Sequence, residues 1–529
     1  MEQITPLFRQ GCGTAQQFLA EVAAVWNAQP VEAQIVVAIA LFIAAQRHLR
    51  RAYAVGPISF GYLLTGAARL GAALLVWNAV WKEGSEGDSC TLLVRVVSSY
   101  VLLSQALAGG VVTALAGLAA AYVAPQYVYK LAVGIAVGHV VLSWLSQESV
   151  PRVAVDITPV LPSKPTKVDR DFRIDSVPGK VMCVNPCTYD LLGDLPAMDA
   201  DAVDAAVKAA AAAQKKWVKT SFDERRRVLR AMQRWILDNQ DSIIQLSCLD
   251  SGKSRVGASV GEVVPTCEKI AWVLRDGEAA LRPVARPSGP GIMSVMKCAW
   301  VEYVPFGVLG IIAPWNYPFH NFMNHVISGL FSGNAIVCKP SEFTSWSGQF
   351  FVRMVKEVLR TCGHSPDLVQ VVTGFADTGR ALVANKGINK IIFTGSGPVG
   401  KHVMRGAAAN LTPVVLELGG KDPAIVCEDA DLDQVMPLLL RGAFQNAGQN
   451  CMGLERIYAH EQVHDEIVRR AKEAILKIHQ GDPLCSRGCD VGSMVTPPQL
   501  VHVNELVQDA IKNGARALTG GRIAQGLNG

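Results

Sequence analysis

From residue 304 onward the chain alternates short apolar runs with longer stretches of helical period, and that alternation leaves few folds open. Residues 308–313, 335–339, 368–372, 390–394, 414–418 and 424–427 read as strands, rich in Val and Ile and bounded by turn residues. The segments between them are long enough for crossover helices, so neighbouring strands run parallel and the sheet is doubly wound. An α/β architecture of this kind binds its ligands beyond the carboxyl ends of the strands. Those ends are where chemically useful residues should be sought.

Upstream the texture differs. Half of the 529 residues are hydrophobic and 18% are charged, and the apolar excess is concentrated in residues 1–150. Residues 96–124 and 131–147 carry no formal charge, 33–46 is uncharged but short, and 58–81 carries Arg69 near its middle. About 20 helical residues cross a bilayer core, so three to four transmembrane helices are expected over 1–148. Small residues at Gly110/Ala114 and Gly134/Gly138 would let such helices approach closely. One large buried soluble helical bundle is the alternative. In a membrane, Arg69 would face the bundle or snorkel to the headgroups, with a transport or gating role as the other reading. Arg47, Arg50 and Arg51 place one loop on the cytoplasmic side, and Lys164, Lys167, Arg170 and Arg173 place the globular part there too. Three spans cannot join two cytoplasmic segments, so one stretch does not cross or one basic cluster misleads. The second cluster carries more weight. The expected location is a multi-pass endomembrane protein, such as one of the endoplasmic reticulum, with its globular part in the cytoplasm. The start, with Glu2, Arg9 and Glu21, resembles neither a transit peptide nor a signal peptide.

Residues 149–176 form a linker in which Pro151, Pro159, Pro162 and Pro165 favour an extended chain. Helices are then expected over 199–220, acidic in front and basic behind, and over 222–239 after a Ser221–Glu224 capping box. A third covers 260–280. The net charge of +5 includes no Lys/Arg tract, which argues against a nucleic-acid partner. Thirteen scattered cysteines do not make a disulfide framework and suit a reducing compartment. Cys183/Cys187 and Cys485/Cys489 lack the second half-site of a zinc ribbon, so no metal is expected.

Three runs carry chemistry. Gly448-Gln449-Asn450-Cys451 offers a thiol, Glu417-Leu418-Gly419-Gly420-Lys421 a carboxylate, and Pro314-Trp315-Asn316-Tyr317-Pro318 an amide. Together they supply a nucleophile, a base and an oxyanion donor. Taken singly, Cys451 could be a core cysteine, Asn316 a turn cap and Glu417 a surface acid. Gly395-Ser396-Gly397-Pro398-Val399-Gly400 follows one strand and opens a helix, where backbone N–H groups suit a pyrophosphate. It matches G-x-G-x-x-G, with Glu417 about twenty residues on where a ribose carboxylate is looked for. Lys339 and Glu342 leave another strand and could instead grip the adenosine ribose. An acid there disfavours a 2′-phosphate, which favours NAD over NADP.

At these motifs the sequence resembles the aldehyde dehydrogenase superfamily, with the two central motifs in that family's order and spacing. Thr266-Cys267-Glu268-Lys269 and the run from Trp315 to Asn321 resemble the membrane-anchored branch of plants. The resemblance runs from about Pro178 to the end. It implies an NAD-binding domain over 177–420 and a catalytic domain over 421–529. Cys451 would be the nucleophile, Glu417 the general base rather than the ribose acid, and Asn316 with the Cys451 N–H the oxyanion hole. Lys339 and Glu342 would hold the ribose, Gly395, Ser396 and Gly400 would cover the pyrophosphate, and Ile312 and Trp315 would line the cofactor cleft. The implied reaction oxidises an aldehyde to an acid with NAD through a thioester. The implied partners are a small, lipid-derived or otherwise apolar aldehyde and the bilayer. The family's catalytic domain continues beyond the point where this chain stops at Gly529. A C-terminal truncation is therefore expected, leaving that domain incomplete and the family's homo-oligomer in doubt for this chain. Two rivals are a coenzyme-A-acylating dehydrogenase, disfavoured by Glu417, and a non-catalytic membrane protein with a relic dinucleotide domain.

Overall fold

The structure is a computed structural model that describes residues 150–523, apart from 160, 162–163, 170–171, 289–296 and 486–487. The membrane helices expected over 1–148 lie outside these residues. Among the described residues no helix is long and apolar enough to cross a bilayer.

The described part of the stretch expected as a linker has no helix or strand, as its prolines favour. It is nevertheless docked rather than loose. Ile157 is 1% exposed, Val150, Val153 and Val155 pack on the main core, and the Trp235 indole N–H donates to the Val155 carbonyl at 3.2 Å. Strands β1 (Lys180–Val184) and β2 (Leu191–Pro196) then pair antiparallel. Three helices follow: α1 (Ala200–Trp217), α2 (Phe222–Asp238) and α3 (Gln240–Ser251). Asp199 caps α1 through the Ala202 N–H, and the Ser221–Glu224 capping box opens α2 as its sequence requires. One helical turn (Arg255–Ala258) and a π turn (Ser259–Val263) lead into α4 (Val264–Ala280). A hairpin of β3 (Val284–Arg286) and β4 (Ala299–Val301) completes this half.

The central sheet is built next, from β5 (Val308–Ile312), α5 (Pro318–Phe331), β6 (Ala335–Lys339), α6 (Ser345–Thr361), β7 (Val369–Val371), α7 (Ala376–Ala384), β8 (Lys390–Gly395), α8 (Gly397–Ala408) and β9 (Val414–Leu418). All five strands run parallel in the order β7-β6-β5-β8-β9. The chain moves outward from β5 to β7, then returns to the other side of β5. The winding reverses there, so α5 and α6 cover one face while α1, α7 and α8 cover the other. Every residue of β6 is buried, which explains why it reads as an apolar run up to Lys339 at its end. Each such Ile or Val contributes about 1.5–3 kcal/mol by leaving water.

Beyond the sheet lies a smaller lobe with its own core. Strand β10 (Asp422–Val426) pairs in parallel with β11 (Leu454–Ala459), flanked by α9 (Leu432–Phe444) and α10 (Glu461–Ile475). Val426, Met436, Leu439, Val463 and Ile467 are its buried residues. The outer helix α11 (Pro497–Lys512) has no buried residue.

Candidate active site

The reversal between β5 and β8 opens a crevice at the carboxyl edge of the sheet. Ile312, half-buried, ends β5 opposite Phe393 of β8. The half-buried Trp315 and Asn316 follow three and four residues later. Lys339 ends β6 and is only 5% exposed; its Nζ lies 3.5 Å from Glu342 and donates to the Pro340 carbonyl at 3.4 Å. Gly395 ends β8, and exposed Ser396 is the N-cap of α8 without capping it through its side chain. A Cβ added at Gly397 would meet nothing within 4 Å, whereas one at Gly400 would press on Leu418 at 3.0 Å. The helix terminus thus faces open space while Gly400 lets α8 sit close on β9. An uncapped N-terminus before an open crevice suits a pyrophosphate, and the Lys339–Glu342 pair suits ribose hydroxyls. These residues fit a dinucleotide.

Cys451 lies on the turn that enters β11, half-buried. Its thiol lies 4.0 Å from the Asn450 side-chain oxygen. Burial pushes the thiol up from its ordinary value, and the Glu417 carboxylate on β9 adds to the shift. The backbone N–H groups of Cys451 and Met452 act in the opposite direction, because they favour the thiolate. Glu417 itself is exposed and pairs in register with Thr394 of β8. The thiol and the carboxylate therefore share one neighbourhood.

The amide joins them through the loop before the thiol. Asn316 donates from Nδ2 to the Gln449 carbonyl at 3.2 Å and accepts from Asn321 at 3.2 Å. An amide nitrogen has two hydrogens, so one can still donate to a substrate oxygen. Asn446 donates to both the Asn316 and Gln449 carbonyls at 3.1 Å. The loop is tightly wound: Asn446 and Ala447 take φ of 55° and 57°, followed by Gly448 at 74°. Left-handed backbone at Ala costs about 1–2 kcal/mol, and the surrounding hydrogen bonds hold it. Gln449 is 9% exposed and donates to the Asn446 and Ser493 carbonyls while accepting from the Val495 N–H at 3.0 Å. The turn is pinned from downstream.

Below this cluster lies an ion pair that the sequence reading passed over. Lys253 and Glu262, both 0% exposed, are hydrogen-bonded to each other. Burial pushes Lys253 down and Glu262 up, and their mutual attraction opposes both shifts. Breaking one side of such a pair costs about 3–5 kcal/mol. The available signal was one acid inside the apolar run Val260-Gly261-Glu262-Val263-Val264, which helical periodicity turns inward. Tyr317 was also passed over; its buried hydroxyl accepts from Gln445 at 3.3 Å beside the nucleophile loop.

The fold and this edge cluster define a doubly wound α/β protein whose crevice fits a dinucleotide. Residues 174–529 match the aldehyde dehydrogenase family, more than half of the chain, and the chain belongs to that family. An aldehyde dehydrogenase-like protein of Schizosaccharomyces pombe is 42% identical over 339 residues, covering 64% of this chain and 64% of that protein. An Escherichia coli NADP-dependent enzyme superposes with a TM-score of 0.61 at 31% identity, over 65% of this chain and 70% of that one. The NAD+ complex of a Bacillus cereus aldehyde dehydrogenase gives 0.61 at 29% identity, over 65% and 69%. The chain thus spans less than two thirds of the length of its fungal relative.

Proposed function

We propose that the chain oxidises an aldehyde to a carboxylic acid with NAD, through a thioester on Cys451. The observation that carries this reading is the meeting of Cys451, Glu417 and Asn316 at the carboxyl edge of a doubly wound sheet. In this reading Cys451 attacks the aldehyde carbon, and the resulting oxyanion takes hydrogen bonds from the uncommitted Asn316 hydrogen and the Cys451 N–H. The bound dinucleotide supplies the hydride acceptor. Glu417 then takes a proton from a water whose oxygen attacks the thioester carbon; the C–S bond breaks, the acid leaves, and a proton returns to the sulfur. Lys339 and Glu342 hold the adenosine ribose, with Gly395, Ser396 and Gly400 at the pyrophosphate and Ile312 and Trp315 along the cleft. NAD is favoured because Glu342 would repel a 2′-phosphate; similarity to proteins described with either cofactor does not choose between them.

The test is NADH formation from aldehydes of increasing chain length, with Cys451→Ala and Glu417→Gln alongside. Cys451→Ala should abolish turnover, and Glu417→Gln should accumulate acyl-enzyme visible by mass spectrometry. NAD-linked oxidation surviving in Cys451→Ala would sink the assignment. Asn316→Ala should lower kcat by about 100-fold or more. We further propose that residues 1–148 anchor the chain in an endomembrane, which presents the cytoplasmic site with lipid-derived aldehydes. Carbonate-washed membranes should retain the whole chain and release one beginning at Val150; release of both would refute the anchor.

A further inference from the structure

We propose that Lys253 and Glu262 are positioning residues that clamp the segment carrying Asn316, and so set the aim of the oxyanion donor at Cys451. The idea rests on the function proposed above and adds two groups that touch no reacting atom.

Every donor direction of the Lys253 ammonium is used. It donates to Glu262, it donates to the Asn316 carbonyl at 2.7 Å, and it stands 4.3 Å from the centre of the Tyr317 ring. The other oxygen of Glu262 accepts the His320 N–H at 2.7 Å. That N–H belongs to the first turn of α5, whose N-cap residue Tyr317 makes no side-chain cap. Glu262 therefore serves as a cap from another element. The pair grips Asn316 at its carbonyl and His320 at its amide, holding both ends of the four-residue step between them. Thr266 tightens the same joint, donating to the Glu262 carbonyl at 2.6 Å and lying 3.2 Å from the His320 ring nitrogen.

The local geometry is unusual in a way that serves this grip. Glu262 lies on the π turn Ser259–Val263, a widened turn frequent at functional sites. The Asn316 carbonyl also accepts from Asn446 of the nucleophile loop, so the amide, the loop and the buried pair meet at one oxygen. A hydrophobic pair would fill the same space, but it could not hold that carbonyl.

The test separates aim from stability. In the full chain, Lys253→Met with Glu262→Gln removes both charges together and leaves an acceptor for the His320 N–H. Two reactions of Cys451 are then compared. With p-nitrophenyl acetate the sulfur attacks the carbonyl, a C–S bond forms, and p-nitrophenolate leaves with the C–O electron pair by way of an oxyanion. With iodoacetamide the sulfur displaces iodide, and no oxyanion forms. The double variant should acylate about 100-fold more slowly while alkylating at the rate of the unaltered chain. Should that variant not fold, Lys253→Arg, which displaces the donors along a longer side chain, should lower the same ratio. An unchanged ratio, whether both rates hold or both fall together, would overturn the clamp. If Cys451 of the unaltered chain is alkylated but never acylated, with Cys451→Ser as reference, the aldehyde dehydrogenase reading fails and the clamp with it.

Discussion

At the scale of single residues, the surroundings of the thiol disfavour its charged form. Burial and then the Glu417 carboxylate keep Cys451 above its ordinary pKa, so the reactive thiolate fraction grows as pH rises. Removing the carboxylate should shift that growth to lower pH. Glu417→Gln is expected to alkylate faster with iodoacetamide than the unaltered chain at mildly alkaline pH, and equally fast once both thiols are ionised. An unshifted profile would mean that the carboxylate does not act on the sulfur. Cys451, Glu417 and Asn316 each have an ordinary reading alone and were legible only as a set, a thiol after two amides, an acid shortly before two glycines and an amide between Trp and Tyr-Pro. What holds them was not legible. Lys253 and Glu262 look like an ordinary loop lysine and helix acid until the fold buries them against the Asn316 carbonyl. Nothing local in the sequence announces a contact across sixty-three residues.

At the scale of elements, termini and buried strands were the legible parts. The strands expected at 335–339 and 414–418 match β6 and β9 in extent, and those at 308–313, 368–372, 390–394 and 424–427 differ from β5, β7, β8 and β10 only at their ends. The Ser221–Glu224 box was readable because both halves of its reciprocal bond lie within four residues. Ser221→Ala should lower the unfolding free energy by about 1 kcal/mol in urea denaturation without altering the cofactor crevice. A change within error would show that tertiary packing alone fixes the start of α2. Strands β1, β2, β3, β4 and β11 were missed. β11, Leu-Glu-Arg-Ile-Tyr-Ala, exposes four consecutive residues, so neither an alternating nor a continuous apolar pattern marks it. The π turn was invisible for a related reason: one extra residue in a helical turn leaves the apolar period nearly intact.

At the scale of the whole molecule, stability is unevenly shared. The main core runs from Ile157 to Ala407, while among the described residues the outer lobe rests on five buried hydrophobic residues and a two-stranded sheet. Ile425 is 77% exposed on that sheet and Leu438 67% on α9. Native-state hydrogen exchange should therefore find the amides of β10 and β11 opening well before those of β5, β6 and β8. Equal protection would show that the two regions unfold as one unit. The sheet was legible in advance, since alternation dictates a parallel order, but burial in the lobe depends on pairing partners that a period cannot name.

The bonds from Gln449 to Ser493 and Val495 have a consequence in time. A protein leaves the ribosome from its first residue, and the sulfur emerges some forty residues ahead of the segment that pins its turn. During that interval the nascent chain carries an ordinary cysteine beside an unfinished pocket. The thiol acquires its final surroundings only when residue 495 arrives.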